Sequence, residues 1–269
     1  MQHIKIILFL LPYLMVSNVL GNTNTKSPVL VCYGRLEPQT IVGYKYVIIE
    51  SKYYSIYEVQ RLKSQNEKVI AYISLGEINA NSSYFERLKK DTLGKNEIWN
   101  SFYLNLESEK TKEILLEMVK SILAKGYDGL FLDNIDNFSS FGPQFKQDQE
   151  LVSLLKTISE LYPKHVLIQN SGIEIISKTA SFVDVIIVES VATNYTFEDK
   201  NYKLRDYKAF AEYISQLKSV NKDYDLPIIL IEYADTKILR DAIQKRTKGL
   251  NFDCFIGNID LQTLPKFLN

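Results

Sequence analysis

Acidic and amide side chains stand at the ends of several apolar runs in this sequence. The clearest case is Gly126–Asp136, where a polar turn leads into a short apolar run and then to Asp133, Asn134 and Asp136. A carboxylate beside a buried run is costly unless it is paired or used, because the charge loses its hydration. Side chains of the same kind follow the other runs, at Glu50, Glu77, Asn170, Glu189, Glu232, Asn258 and Asp260. These residues are candidates for chemistry.

The alternation of side chains along a strand selects one pair among these acids. Asp133 and Glu189 each end an apolar run and share a face with every second residue of that run. Asp128 and Asp184 stand at the entrances of the same two runs, five positions earlier. We therefore expect structural roles for the entrance acids and a shared pocket for Asp133 and Glu189.

Two carboxylates that face one pocket are what the hydrolysis of a glycosidic bond requires. The same oxygen-rich set suits calcium or magnesium, so a metal-dependent hydrolase is an alternative, as is a barrel that binds carbohydrate without cleaving it. A zinc centre built on histidine is not expected, because the chain has only His3 and His165. Ser74 and Ser171 lack a histidine partner for a Ser-His-Asp triad. We predict neither a metal nor a cofactor.

The elements that must position these residues alternate between apolar runs and amphipathic stretches. Eight runs rich in Val, Ile and Leu are typical of parallel strands covered on both faces, at Val29–Tyr33, Tyr46–Glu50, Val69–Leu75, Gly129–Asp133, Val166–Asn170, Val185–Glu189, Ile228–Glu232 and Asp253–Gly257. Helices are predicted between them, at Ile56–Ser64, Thr111–Lys125, Gln147–Leu161, Tyr207–Ser219 and Lys237–Lys245. The pattern predicts an α/β fold, a single-domain (β/α)8 TIM barrel, in which the strand ends converge on one mouth.

Two connections are longer than the others. Asn79–Lys110 follows the third predicted strand and contains Trp99, and Ala192–Leu204 follows the sixth. Long loops inside compact domains are often functional. Since both leave the carboxyl ends of barrel strands, we expect them to overhang the pocket.

The N-terminal segment and the charge balance of the chain indicate where the protein acts and which partners are not expected. Residues 1–21 resemble a signal peptide, residues 22–28 a linker, and residues 29–269 the barrel domain. We therefore expect a secreted or periplasmic protein, monomeric and without a membrane association after leader removal. Lys plus Arg and Asp plus Glu both number 32, so nothing indicates a nucleic-acid partner. Cys32 and Cys254 fall in the first and last strands; two separate thiols are slightly favoured over a disulfide.

Several segments together resemble glycoside hydrolase family 114, over roughly Val29 to Asp260. The resemblance is carried by Val69–Glu77, Trp99, Gly126–Asp136, Ile168–Asn170 and Val188–Glu189, and Gly126–Asp136 is its most specific part. Characterised members of that family are endo-α-1,4-polygalactosaminidases. The resemblance implies a TIM barrel that cleaves a galactosamine-rich exopolysaccharide without a cofactor. In one departure, the second strand ends at Glu50, where the family would have Asp.

The resemblance also implies roles for individual residues. Asp133 matches the catalytic Asp of the fourth strand and Glu189 the catalytic Glu of the sixth, so that a retaining reaction with Asp133 as nucleophile and Glu189 as acid/base is expected. The predicted substrate contacts are the side chains placed at the same mouth, namely Tyr33, Glu77, Asn134, Asp136, Asn170 and Glu232. An acidic mouth would attract a polymer that carries free amino groups.

Overall fold

The eight predicted strands form the central sheet of the protein. The computed structural model describes residues 27–268, and five further strands lie between those of the barrel. In chain order the strands are β1 (Val29–Cys32), β2 (Tyr46–Ile49), β3 (Lys68–Ser74), β4 (Glu77–Asn79), β5 (Thr92–Asn96), β6 (Ser101–Leu104), β7 (Gly129–Asp133), β8 (Val166–Asn170), β9 (Val185–Glu189), β10 (Thr193–Thr196), β11 (Asn201–Leu204), β12 (Ile228–Tyr233) and β13 (Asp253–Gly257).

The barrel strands are parallel throughout and follow one another in the order β1-β2-β3-β7-β8-β9-β12-β13. Hydrogen bonds also join the two ends of the series. Ser27 Oγ donates to the carbonyl of Cys254 at 2.9 Å, and the amide of Tyr33 donates to the carbonyl of Leu261 at 2.7 Å. The sheet is thus a nearly closed barrel, and the predicted fold class is confirmed.

Helices cover the outside of the barrel, as the amphipathic stretches predicted. They are α1 (Ile56–Gln65), α2 (Phe85–Leu88), α3 (Glu109–Leu123), α4 (Asp148–Leu161), α5 (Ile176–Thr179), α6 (Tyr207–Tyr224) and α7 (Lys237–Thr247). Side chains cap the starts of two of them: Ser55 caps α1 in a capping box with Glu58, and Asp206 caps α6. In α4, Leu151, Leu154, Leu155 and Ile158 are buried, which is the spacing of one helix face.

The two long connections fold into small sheets. Strands β4, β5 and β6 form a three-stranded antiparallel sheet after β3, and β10 and β11 form a hairpin after β9. Both insertions therefore leave the carboxyl ends of barrel strands, the end at which Asp133 and Glu189 lie. The strands within these long segments were not predicted, and their expected position over the pocket stays a prediction.

The chain termini and the cysteines complete the fold. The predicted leader, residues 1–21, and residues 22–26 of the linker lie outside the described residues. Between residues 27 and 268, no helix is both long and apolar enough to span a bilayer. Cys32 and Cys254 are separate thiols, as the sequence slightly favoured.

Candidate active site

The candidate site is built on the last residues of three neighbouring strands. Asp133 ends β7, Asn170 ends β8 and Glu189 ends β9. The strand register puts all three on the inner face of the barrel. The residue after each of them has a left-handed backbone, with φ of 61°, 57° and 55°. The chain thus turns off the strand axis directly after each of these side chains, and non-glycine residues in this conformation are often found at functional sites.

One amide group joins the two acids. Asn170 Nδ2 donates to Asp133 Oδ1 and to Glu189 Oε1, at 2.7 Å each. These two oxygens can therefore lie no farther apart than the two bonds end to end, 2.7 Å plus 2.7 Å, or 5.4 Å. The second oxygen of each acid is bound by a tyrosine: Tyr72 donates to Asp133 Oδ2 at 2.8 Å, and Tyr233 donates to Glu189 Oε2. Both carboxylates are held at both oxygens.

Burial without a cation raises the proton affinity of the pair. No Lys or Arg among residues 27–268 forms an ion pair with Asp133 or Glu189. Burial and the neighbouring charge of Asp133 raise the pKa of Glu189 to about 7, against the lowering effect of its hydrogen bonds. Burial also raises the pKa of Asp133, while hydrogen bonds from Asn170 and Tyr72 lower it. At neutral pH, Glu189 can hold or release a proton.

Tyr33 lies beside this pair, at the end of β1. Its ring packs against Tyr72 with a centroid distance of 4.8 Å, and Tyr72 stacks on Phe131 at 6.0 Å. Burial, followed by the charges of Asp133 and Glu189, raises the pKa of the Tyr33 hydroxyl well above its ordinary value. The structure thus brings this predicted substrate contact close to both acids.

Asp136 supplies a third carboxylate near the pair. It lies in the short 3-10 helix Ile135–Phe138 that follows β7. Burial and the charge of Asp133 raise the pKa of Asp136 to about 6. The predicted acidic pocket thus contains at least three acids whose proton affinity is raised by burial and by one another.

Glu77 lies at the base of the insertion that follows β3. Only 7% of it is exposed. Its carboxylate accepts hydrogen bonds from Ser101 Oγ, from Asn137 Nδ2 at 3.0 Å and from Asn96 Nδ2 at 3.3 Å. Glu77 therefore ties the small sheet to the loop after β7, and its predicted contact with substrate stays a prediction.

Asn134 also connects two loops of the mouth. Its Oδ1 accepts from Ser74 Oγ at 2.6 Å, and Ser74 Oγ in turn accepts from the amide of Glu77 at 2.8 Å. A Cβ atom on Gly76 would lie 2.9 Å from both Cβ and the carbonyl oxygen of Asn134, so a glycine is required there. Asn134 therefore fixes the exit of β3 beside Asp133, and its predicted contact with substrate stays a prediction.

Glu232 is the predicted site residue that the structure places elsewhere. It is fully buried and accepts from the amide of Ala192 at 2.7 Å, the amide of Thr193 at 3.0 Å and Thr193 Oγ1 at 2.6 Å. The register of β12 directs Tyr233, and not Glu232, into the barrel. Because side chains alternate along a strand, Glu232 lies on the face of β12 opposite to Tyr233. The structure therefore does not bring Glu232 to the two acids beside which it was predicted to contact substrate.

The chain matches one family model over most of its length. The model is described as glycoside hydrolase family GH114 and covers residues 35–266. The chain belongs to family GH114. It is therefore a glycosidase. Among the described residues of this GH114 protein, no group of three or more His, Cys, Asp or Glu side chains is arranged to hold a metal ion.

Solved structures agree with the barrel fold of this GH114 protein. The glycoside hydrolase domain of PelA from Pseudomonas aeruginosa is 23% identical, with a TM-score of 0.77 over 88% of this chain and 96% of that domain. Aspergillus fumigatus Ega3 in complex with galactosamine is 18% identical, with a TM-score of 0.67 over 89% of this chain and 92% of that one. An α-galactosidase from Thermus thermophilus is 11% identical, with a TM-score of 0.58 over 90% of this chain and 59% of its own. No protein with a curated function matches this chain.

Two tyrosines of the GH114 site, Tyr72 and Tyr233, were missed by sequence reasoning. The chain has 18 tyrosines, and the residue type alone does not separate core from pocket. The alternation of side chains along the strands could have identified Tyr72. Tyr72 lies opposite Phe131 in the β3–β7 register, so it shares the inner face with Asp133.

Two arginines were missed as well. Arg205 donates to the carbonyl of Ser190 through Nε at 3.2 Å and Nη2 at 2.8 Å. Arg246 donates to the carbonyl of Ala192 at 3.3 Å and to that of Arg205 at 2.5 Å. The segment that directly follows Glu189 is thus held by guanidinium groups at its carbonyls, while the buried carboxylate of Glu232 holds its amides.

Proposed function

We propose that this GH114 protein is an exported, retaining glycoside hydrolase that cleaves a galactosamine-rich polysaccharide. The observation that carries the proposal is the position of Asp133 and Glu189 on the two hydrogens of one amide nitrogen, within 5.4 Å of each other by the two 2.7 Å bonds. Retaining glycosidases place their carboxyl groups about 5 to 5.5 Å apart, and inverting ones about 6.5 to 9.5 Å apart. The 5.4 Å upper limit applies to the two oxygens that share the amide nitrogen. A separation below that limit supports retention.

The environments of the two acids support different roles for them. Asp133 would attack the anomeric carbon as a carboxylate, forming a glycosyl-enzyme ester. Glu189, with its pKa near 7, would give its proton to the glycosidic oxygen as that bond breaks. Glu189 would then take a proton from water as the water oxygen attacks the anomeric carbon and releases Asp133. Each cycle consumes one water molecule and restores both acids.

The acidic mouth supports the choice of substrate. Asp133, Asp136 and Glu189 have no cationic partner among the described residues, so the pocket favours a positively charged ligand. A galactosamine polymer with free amino groups carries such charges. The structural neighbour Ega3 was crystallised with galactosamine, which agrees with this class of sugar. The signal-peptide pattern of residues 1–21 supports export.

A product assay on purified polymers tests the proposal. The polymers are α-1,4-linked poly-galactosamine, its N-acetylated form, and α-1,4-linked poly-glucosamine as a control for the C4 configuration. We expect reducing ends to appear with poly-galactosamine, at a rate unchanged by EDTA, and no products with Glu189→Gln. Hydrolysis of poly-glucosamine alone would contradict the substrate. Loss of activity on chelation would contradict the two-carboxylate mechanism.

A further inference from the structure

Two exposed aromatic side chains meet where the insertions of the barrel mouth come together. Trp99 lies in the turn between β5 and β6, and Phe197 lies in the turn between β10 and β11. Their rings are 5.4 Å apart between centroids and nearly perpendicular, at 89°. Trp99 is 51% exposed and Phe197 is 44% exposed. The contact thus joins two hairpin tips while leaving large parts of both rings open to solvent.

On one side, the turn of the β5–β6 hairpin is anchored to the candidate site. Asn79 Nδ2 donates to the carbonyl of Trp99 at 3.2 Å. Asn96, three positions before Trp99, donates to Glu77 at 3.3 Å, and Glu77 is bound in turn by Asn137 in the loop after β7. The indole is therefore carried by a segment with fixed connections to the residues around Asp133.

On the other side, a row of aromatic rings supports Phe197. Tyr195 packs against Phe197 at 4.9 Å and against Tyr202 at 4.7 Å. The hydroxyl of Tyr202 accepts from the amide of Ile259 at 3.2 Å, just beyond the end of β13. The hairpin is thus attached to the rim of the barrel, and Phe197 is held at its tip in advance of any ligand.

The topology locates this contact relative to the acids. The insertion with Trp99 follows β3 and the hairpin with Phe197 follows β9, and the two strands between β3 and β9 in the sheet are β7 and β8. The joined tips therefore bridge the part of the rim whose strands end in Asp133, Asn170 and Glu189. We call the Trp99–Phe197 contact the aromatic bridge.

We propose that the aromatic bridge is a substrate subsite that binds a sugar unit of the polymer beyond the units at the cleaved bond. A sugar ring has a face of C–H groups, and an aromatic ring can bury it. An ammonium group on the same sugar adds a cation–π attraction, which is strongest with Trp. The inference rests on the proposed function, since it assigns the bridge to the same polymer.

Equilibrium binding in the Glu189→Gln background tests the inference, because that variant is expected to bind substrate without turning it over. The ligands are a galactosamine oligomer of several units, the same oligomer N-acetylated, and galactosamine itself. The variants are Trp99→Ala, Phe197→Ala and Trp99→Phe, with Tyr224→Ala as the control. Tyr224 is a partly exposed aromatic at the carboxyl end of α6, at the opposite end of the barrel.

We expect Trp99→Ala and Phe197→Ala each to weaken binding of the free-amine oligomer about tenfold and to leave binding of galactosamine within about twofold. The loss in Trp99→Ala should be smaller, about threefold, for the acetylated oligomer, because the charge is gone. Trp99→Phe should recover most of the affinity, and Tyr224→Ala should change nothing.

Three other binding results would overturn the inference, and they differ in what they imply for the proposed function. Unchanged oligomer affinity in both alanine variants would overturn the inference and leave the proposed function standing. An equal loss for galactosamine and oligomer would also overturn it, because the bridge would then act on the central site through structure. If the Glu189→Gln parent binds no oligomer at all, the proposed substrate is wrong and the inference fails with it.

Discussion

Strands β7 and β9 carry acids at both ends, and the two ends are treated differently. At the entrances, Asp128 and Asp184 accept hydrogen bonds from the backbone amides of Val69 and Leu167, at 2.9 and 2.8 Å. Asp128 also pairs with a lysine, Lys63, at 2.9 Å. Each entrance acid therefore fastens its own strand to the neighbouring one, as expected from the sequence.

At the exits, five positions later in each strand, the partners are of another kind. Asp133 and Glu189 accept hydrogen bonds mainly from side chains, namely two tyrosine hydroxyls and one shared amide nitrogen. Asp133 also accepts one from the backbone at Asn134. Such partners fix the position of a carboxylate without neutralising it. Partner chemistry, more than the acidic residue itself, therefore separates a structural acid from one that can exchange a proton.

Replacing the exit acids by amides has the largest expected effect on activity, and the same replacement at the entrances is the control. Asp133→Asn and Glu189→Gln should each lower kcat by at least about 10³-fold, since they remove the nucleophile and the proton donor. Asp128→Asn and Asp184→Asn should leave kcat within a few-fold and lower the free energy of unfolding by about 1 kcal/mol. The rate of polymer hydrolysis measures kcat, and unfolding in urea measures the free energy of unfolding. A loss of activity at the entrance equal to that at the exit would break the distinction.

Asn170→Ala has the second largest expected effect on activity, because the Asn170 side chain positions both acids. Asn170→Ala should lower kcat about 10²-fold, as a displacement of about 1 Å costs in other enzymes, with a smaller change in KM. Asn258→Ala is the matched control, because Asn258 is a rim amide that binds the carbonyls of Ala234 and Lys266 instead of the acids. Equal kinetic effects of the two variants would contradict a positioning role for Asn170.

Tyr233→Phe sharpens the account of proton affinity. The hydroxyl of Tyr233 lowers the pKa of Glu189, so its removal should raise that pKa above about 7. The alkaline limb of the kcat/KM profile should move to higher pH, and kcat should fall about tenfold. Leu264→Ala, at an exposed position of the last loop, serves as a control with an unchanged profile. A limb that moves to lower pH in Tyr233→Phe would contradict the assignment of Glu189 as the acid.

The same pKa predicts a smaller effect on stability. A carboxyl group whose pKa is raised from 4.5 to about 7 in the folded state stabilises the fold fully below pH 4.5, and that contribution is lost as pH rises through 7. As pH rises through these values, the wild type should lose about 3 kcal/mol of unfolding free energy relative to Glu189→Gln. Unfolding in urea at several pH values measures the difference. Parallel stability curves for the two proteins would show that the pKa of Glu189 is not raised.

The sequence was sufficient for the fold because each barrel strand is buried on both faces and reads as a run of Val, Ile and Leu. The paired acids could be predicted for the same reason, since a charged residue at the end of such a run is conspicuous. The end of β12 was harder. Glu232 is the acid there and Tyr233 the residue that reaches the pocket, and only the register separates them.

Other parts of the site depend on contacts that no local pattern encodes. Arg205 lies 15 positions from the Ser190 carbonyl that it binds. The bond between Asn137 and Glu77 joins residues 60 positions apart. Composition and periodicity describe neighbours along the chain, so these long-range contacts and the strands within the two insertions could not be predicted.

Trapping the covalent glycosyl-enzyme intermediate tests whether Asp133 is the nucleophile. Glu189→Gln is mixed with an α-galactosaminyl fluoride, whose fluoride departs without a proton from the enzyme, while the missing base prevents rapid hydrolysis of the ester. Digestion and mass spectrometry then locate the sugar. We expect one galactosaminyl group per protein, attached to Asp133, with one fluoride released. Release of fluoride with the sugar on another residue, or with no adduct at all, would contradict it.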